Sequence, residues 1–130
     1  VTLLRSPLYF AMSAENPLAA KDTLSREDLD DQNIIYYSCG FDRVFWVPLV
    51  DNHHERFDND LMHIYAQVFR NEGILPTPLY TIPFFGQGIV CRKFVGEHDT
   101  IETYCFISPR VQADSARKEA CLKLREALRA

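Results

Sequence analysis

The residues best suited to chemistry crowd into one segment. His53-His54-Glu55, Asp58, Asp60 and His63 bring imidazoles and carboxylates close together in the chain. If a helix starts near His54, then His54 and Asp58 stand at i and i+4 on one face, a spacing that suits a divalent ion. The HExxH pattern is absent and only two strong ligands align, so the plainer reading is a solvated helix start whose acids favour its dipole. Cys39 beside Gly40, with histidines elsewhere, has the composition of a thiol nucleophile. A lone cysteine is more ordinarily a small buried hydrophobe. Gly86-Gln87-Gly88 lacks the third glycine or lysine of a phosphate loop. Arg92-Lys93 and the closing Arg117-Lys118, Lys123 and Arg125 are too interspersed to form a nucleic-acid patch.

These residues sit in a chain of ordinary globular composition. The 130 residues suggest one domain with a real core, and 47% are hydrophobic and 25% charged. Nine Phe, six Tyr and Trp46 argue against disorder. A net charge of −4 weighs against a grip on a phosphate backbone. The four cysteines, Cys39, Cys91, Cys105 and Cys121, form no C-x-x-C pair and read as reduced thiols of a cytoplasmic protein. No apolar run approaches the roughly 18 residues of a membrane span, and no signal peptide is visible. The chain begins at Val1 rather than Met, as expected of a fragment of a longer protein.

The elements that must position these groups can be read in order. Pro7 to Ser38 reads as strand, turn, short helix, strand. Leu8, Tyr9, Phe10 and Met12 suit a strand covered on both faces. Asn16-Pro17 turns the chain, and Ser25 is an N-cap for a short helix with Glu27 and Asp28 in its first turn. Asn33 to Ser38 is again strand-like. Val44 to Val50 reads as an edge or irregular segment because of Pro48, and Asp51 to His54 as a loop. Phe57, Leu61, Ile64, Tyr65, Val68 and Phe69 predict a helix over 55–72, closed by Gly73. Leu79 to Ile82, Ile89 to Cys91 and Ile101 to Ile107 read as strands, with turns at 84–88 and 96–99. Asp114-Ser115 precedes a final helix over 116–128. Strands interleaved with helices predict an α/β fold.

The order of these elements resembles the effector-binding region of LysR-type bacterial transcription regulators. The resemblance rests on Asn16-Pro17-Leu18-Ala19 after an apolar strand, Leu29 in a short helix, and then a second strand. It continues through Gly73-Ile-Leu-Pro76, Gly86-Gln-Gly-Ile89 and Ser115-Ala116-Arg117, and spans most of residues 5–128. Asn16 stands where the family usually has His. Between the Leu79 strand and Gly86 there is no room for the family's further short helix.

The resemblance implies one lobe of a type 2 periplasmic-binding-protein-like fold: a mixed, mostly parallel sheet flanked by helices. Residues 1–100 would be the second lobe, and 101–130 a return strand and C-terminal helix. It implies no enzyme activity and no cofactor. The implied partners are a small-molecule effector, DNA only through an N-terminal helix-turn-helix outside this chain, and a second copy of the protein through an exposed helix face. Ligands of open α/β sheets bind beyond the carboxyl ends of the strands. That places the candidate effector contacts at Ser38, Cys39, Gly40 and Phe41, and at Pro83, Phe84, Phe85 and Gly86. Ser38 and the N–H groups of Gly40 and Phe41 would donate to a carboxylate, and the phenylalanines would wall the cleft. For each aromatic, a place in the core is the competing reading. Two alternatives of other classes stay open. One is a small metal-binding or enzymatic α/β domain using His53 to His63; the other is a dimerisation module built on the last helix.

Overall fold

The computed structural model describes residues 2–37, 54–104 and 109–129. They fall into two compact units, Pro7–Asp99 and a second made of Val1–Ser6 with Thr100–Ala130.

The larger unit is built on strand β1 (Thr2–Ser13), whose end beyond Ser6 lies in it. Leu8, Phe10, Ala11 and Met12 are all fully buried, so successive side chains pointing to opposite faces both meet protein. β1 pairs antiparallel with β5 (Leu75–Pro78) and with β6 (Ile89–Phe94). The two-residue β2 (Thr23–Leu24) adds to β6 in parallel, with Leu24 opposite Phe94. The rings of Phe10 and Phe94 meet edge to face at 5.9 Å. A second cluster joins Ala11, Ile35, Ile64, Val68 and Leu75, with Tyr65, Phe85, Ile89 and Cys91 packed against it.

β3 (Asn33–Tyr37) and β4 (His54–Asp58) form a parallel pair in which Tyr37 lies opposite Asp58. β3 also bridges to the start of β5: Ile35 N–H donates to the Ile74 carbonyl and Ile74 N–H to that of Asn33, both at 2.8 Å. The bridge is parallel, so β4, β3 and β5 share one direction. The α/β architecture and mixed sheet expected from the sequence are present, with parallel pairs at β2–β6 and β3–β4 and antiparallel ones at β1–β5 and β1–β6.

The turn after β1 forms as its residues dictate. Asn16 Oδ1 accepts the N–H of Leu18 at 2.9 Å, and Pro17 opens a 3₁₀ turn over Pro17–Ala20. Arg92 closes that turn, its guanidinium donating to the Ala19 carbonyl at 2.7 and 3.1 Å. At the next turn, Arg26–Leu29, the Asp28 carboxylate reaches back to the Ser25 N–H at 2.9 Å.

The helix predicted over 55–72 is shorter. α1 covers Leu61–Phe69, and 54–58 is strand β4. Asp60 caps α1, its carboxylate accepting from Met62 N–H at 3.0 Å and His63 N–H at 3.3 Å. Phe57 fits the helical spacing but stacks on Tyr36 across the strands at 5.3 Å. Tertiary pairing outweighs a periodicity that crosses Asn59-Asp60 unbroken. The left-handed residue ending α1 is Asn71 (φ 59°) rather than Gly73. The strand expected at 79–82 is also displaced. Leu75–Pro78 carries the β5 pairing, and Leu79–Phe84 is a 3₁₀ turn, so the short helix for which no room was expected has a counterpart.

In the smaller unit, β7 (Thr100–Tyr104) pairs with β1, and Arg5 and Glu102 form an ion pair at 2.6 Å. The four-residue helix α2 (Pro109–Gln112) precedes α3 (Ser115–Arg129). Asp114 caps α3 as expected, accepting from Ala116 N–H at 3.1 Å and Arg117 N–H at 3.2 Å. Leu124 and Leu128 on α3 are exposed.

Candidate functional site

The shared direction of β4, β3 and β5 gives the larger unit a carboxyl edge. Tyr37 ends β3, Asp58 ends β4 and Pro78 ends β5. The start of α1 and the 3₁₀ turn Leu79–Phe84 follow directly from the ends of β4 and β5. Loops at such an edge are where open α/β sheets hold ligands.

The candidate contacts Ser38, Cys39, Gly40 and Phe41 lie outside the described residues, as do Val44–Val50 and His53. Tyr37, after which Ser38 follows in sequence, pairs with Asp58 at the end of β4. Of the second group, Pro83 and Phe84 are exposed in the 3₁₀ turn, Phe84 by 78%. Phe85 is half-buried and meets Tyr65 of α1 edge to face at 5.2 Å. Gly86 is exposed, with open space where a Cβ would stand. Leu79 and Tyr80, the first residues beyond β5, are each 46% exposed.

A polar network at this edge was not assigned to the cleft from sequence. Asp58 Oδ2 meets His63 Nδ1 at 2.5 Å and accepts from Gln67 Nε2 at 3.3 Å. Arg56 Nη1 donates to Gln67 Oε1 at 3.4 Å. Asp58 also accepts the Asp60 N–H at 2.9 Å. That backbone bond, then the His63 ring, holds the Asp58 carboxyl below its ordinary range. The signal was Asp58-Asn-Asp60 as a strand end and cap, hidden while the segment read as one helix.

The same fold removes the proposed His54–Asp58 ligand spacing. On strand β4 these residues are about 13 Å apart along the chain rather than one helical turn. Among the described residues, no group of three or more His, Cys, Asp or Glu is placed to hold a metal ion.

At the opposite, amino edge a polar pocket of about 270 Å³ opens between the Asn16 turn, Asp31–Asn33 and Asn71–Gly73. Asn16 Nδ2 donates to Asn71 Oδ1 there at 3.2 Å.

No family model matches the chain, and no curated protein matches it. Solved structures do. The regulatory domain of MetR, a LysR family regulator from N. meningitidis, superposes with a TM-score of 0.75 at 20% identity, covering 97% of this chain and 64% of that one. The reduced OxyR regulatory domain from Pseudomonas aeruginosa gives 0.68 at 22% identity, covering 99% and 64%. Full-length CbnR complexed with its target DNA gives 0.67 at 14% identity, covering 96% and 45%. The chain therefore has the fold found in LysR-family regulatory domains, and spans less than two thirds of each of these proteins.

Proposed function

We infer that this chain is the effector-sensing second lobe of a LysR-type transcription regulator, with residues 101–130 as its return strand and closing helix. The observation that carries this reading is the likeness to regulatory domains, which runs through nearly the whole chain. The carboxyl edge adds to it, since exposed aromatic residues and a polar network gather where a small ligand is expected. A small molecule binds there, with contacts from Ser38, Cys39, Gly40 and Phe41 and from the turn leading through Pro83, Phe84, Phe85 and Gly86. Binding biases lobe closure and hence the arrangement of subunits on DNA. The lobe performs no catalysis. DNA contact belongs to a helix-turn-helix elsewhere in the parent, which is cytoplasmic and works as a homo-oligomer. Among the described residues, no helix is long and apolar enough to cross a membrane.

The test uses the intact protein and its gene. A helix-turn-helix encoded near the parent's N-terminus is expected, and its absence overturns the reading. With it present, Phe84→Ser should abolish effector-dependent transcription while leaving the thermal midpoint unchanged. An unaltered response would remove the turn from the site.

A further inference from the structure

Asp58 and His63 form a pair that the core does not require. His63 is 58% exposed, yet its ring is held by a carboxylate that is itself fixed by the Asp60 N–H and Gln67 Nε2. A carboxylate only accepts hydrogen bonds, so the proton of the neutral imidazole lies on Nδ1 and the lone pair on Nε2. Among the described residues Nε2 has no partner. The pair stands at the end of β4, opposite Tyr37 and therefore beside the strand end that leads into Ser38.

Among the described residues, the charges around the ring select what Nε2 would meet. Strand β4 contributes Asp58 and Arg56, the latter directed to Gln67. The connection to α1 contributes Asp60, and the segment beyond α1 contributes Arg70 and Glu72, paired with each other at 2.7 Å. β3 ends at Tyr37, opposite Asp58. The first amides of α1 are occupied by Asp60, so the helix start is closed to an anion. An incoming carboxylate would face Asp58, Asp60 and a lone pair. An ammonium group carries three donors and no acceptor, and is drawn by the same carboxylates.

The geometry points to His63 Nε2 as the acceptor for a protonated amino group on the effector, with Asp58 as the positioning residue that sets the ring's tautomer. This rests on the sensor reading above and narrows its ligand to amine-bearing small molecules.

The test is made on the intact protein carrying this chain, labelled with ¹⁵N-histidine. The probes are ethylammonium chloride and sodium propionate, a cation and an anion of similar size, at matched ionic strength. His63 is assigned by its missing signals in His63→Phe. The expected spectra show the Nδ1–H tautomer and an Nε2 resonance that moves saturably with ethylammonium and not with propionate. Asp58→Asn should weaken that response about tenfold, as for loss of a hydrogen bond to a charged group. An Nε2–H tautomer, no saturable shift with ethylammonium, or a shift with propionate overturns the assignment. The two readings fail separately. If Phe84→Ser abolishes the transcriptional response while ethylammonium leaves His63 untouched, only the amine assignment falls. If no helix-turn-helix is encoded, the regulator reading falls whatever the spectra show.

Discussion

Gly73 lies so close to Ile35 that a Cβ on it would stand 2.7 Å from Ile35 Cδ1 and 2.9 Å from the Asn33 carbonyl oxygen. This is where the chain leaving α1 enters the β3–β5 bridge, so neither the backbone nor the fully buried Ile35 has room to yield. Gly73→Ala should therefore destabilise the fold by about 1–3 kcal/mol. Gly86→Ala, where nothing lies within 4 Å, should stay within about 0.5 kcal/mol of the parent. Urea denaturation of the two variants side by side checks both, and equal stabilities would refute the packing argument.

Asn16 is 8% exposed and uses both ends of its amide, accepting from Leu18 N–H and donating to Asn71. Asn16→Ala should cost about 1–2 kcal/mol, combining a lost cap at the Leu18 N–H with a lost side-chain hydrogen bond to Asn71. Asn16→Asp keeps the acceptor for Leu18 but sets a carboxylate against Asn71 Oδ1. It should recover only part of the loss. Thermal unfolding of both variants at one pH gives the comparison.

Asp58 yields a pH dependence of known sign. Its folded pKa is depressed, first by the Asp60 N–H and then by His63. Its contribution is therefore present above the unfolded carboxylate pKa of about 3.9 and is lost as pH falls through the lower folded value. Asp58→Asn should lower the thermal midpoint near pH 6, and the difference from the parent should close as the solution is acidified towards pH 3. A gap that widens on acidification would contradict the geometry.

Cys91 is half-buried on β6 beside the second core cluster, and burial pushes its thiol up to about 11, with the Arg92 guanidinium pulling weakly the other way. Alkylation of Cys91 by iodoacetamide at pH 7.5 should be far slower than in the urea-unfolded chain, because the thiolate is the nucleophile. The raised folded pKa also means that its stabilising effect is intact below the unfolded thiol pKa of about 8.5. It is lost as pH rises towards 11. Mass mapping of the modified cysteine after timed labelling reads the first effect, and rapid modification of Cys91 in the folded protein would exclude the burial argument.

Local chemistry was legible wherever the decisive partner lies a few residues away. The covered strand around Leu8–Met12, the Asn16-Pro17 turn, the Ser25 start and the Asp114 cap each follow from side chains bonding to their own backbone or from a continuous apolar run. The α/β class followed from the order of such segments. What tertiary structure decided lies where a distant partner chooses between local options. Phe57 fits a helix by spacing, but pairing of 54–58 with β3 makes it a strand. Leu79–Ile82 has strand composition, but the register of Leu75–Pro78 against β1 uses up the pairing one segment earlier. That shift reveals Asp58 and His63 as neighbours at the carboxyl edge. Five residues apart, a carboxylate and an imidazole meet through the end of a strand and the first turn of a helix. Spacing alone does not distinguish that geometry from a continuous helix, because the pairing energy comes from β3, 21 positions earlier in the chain.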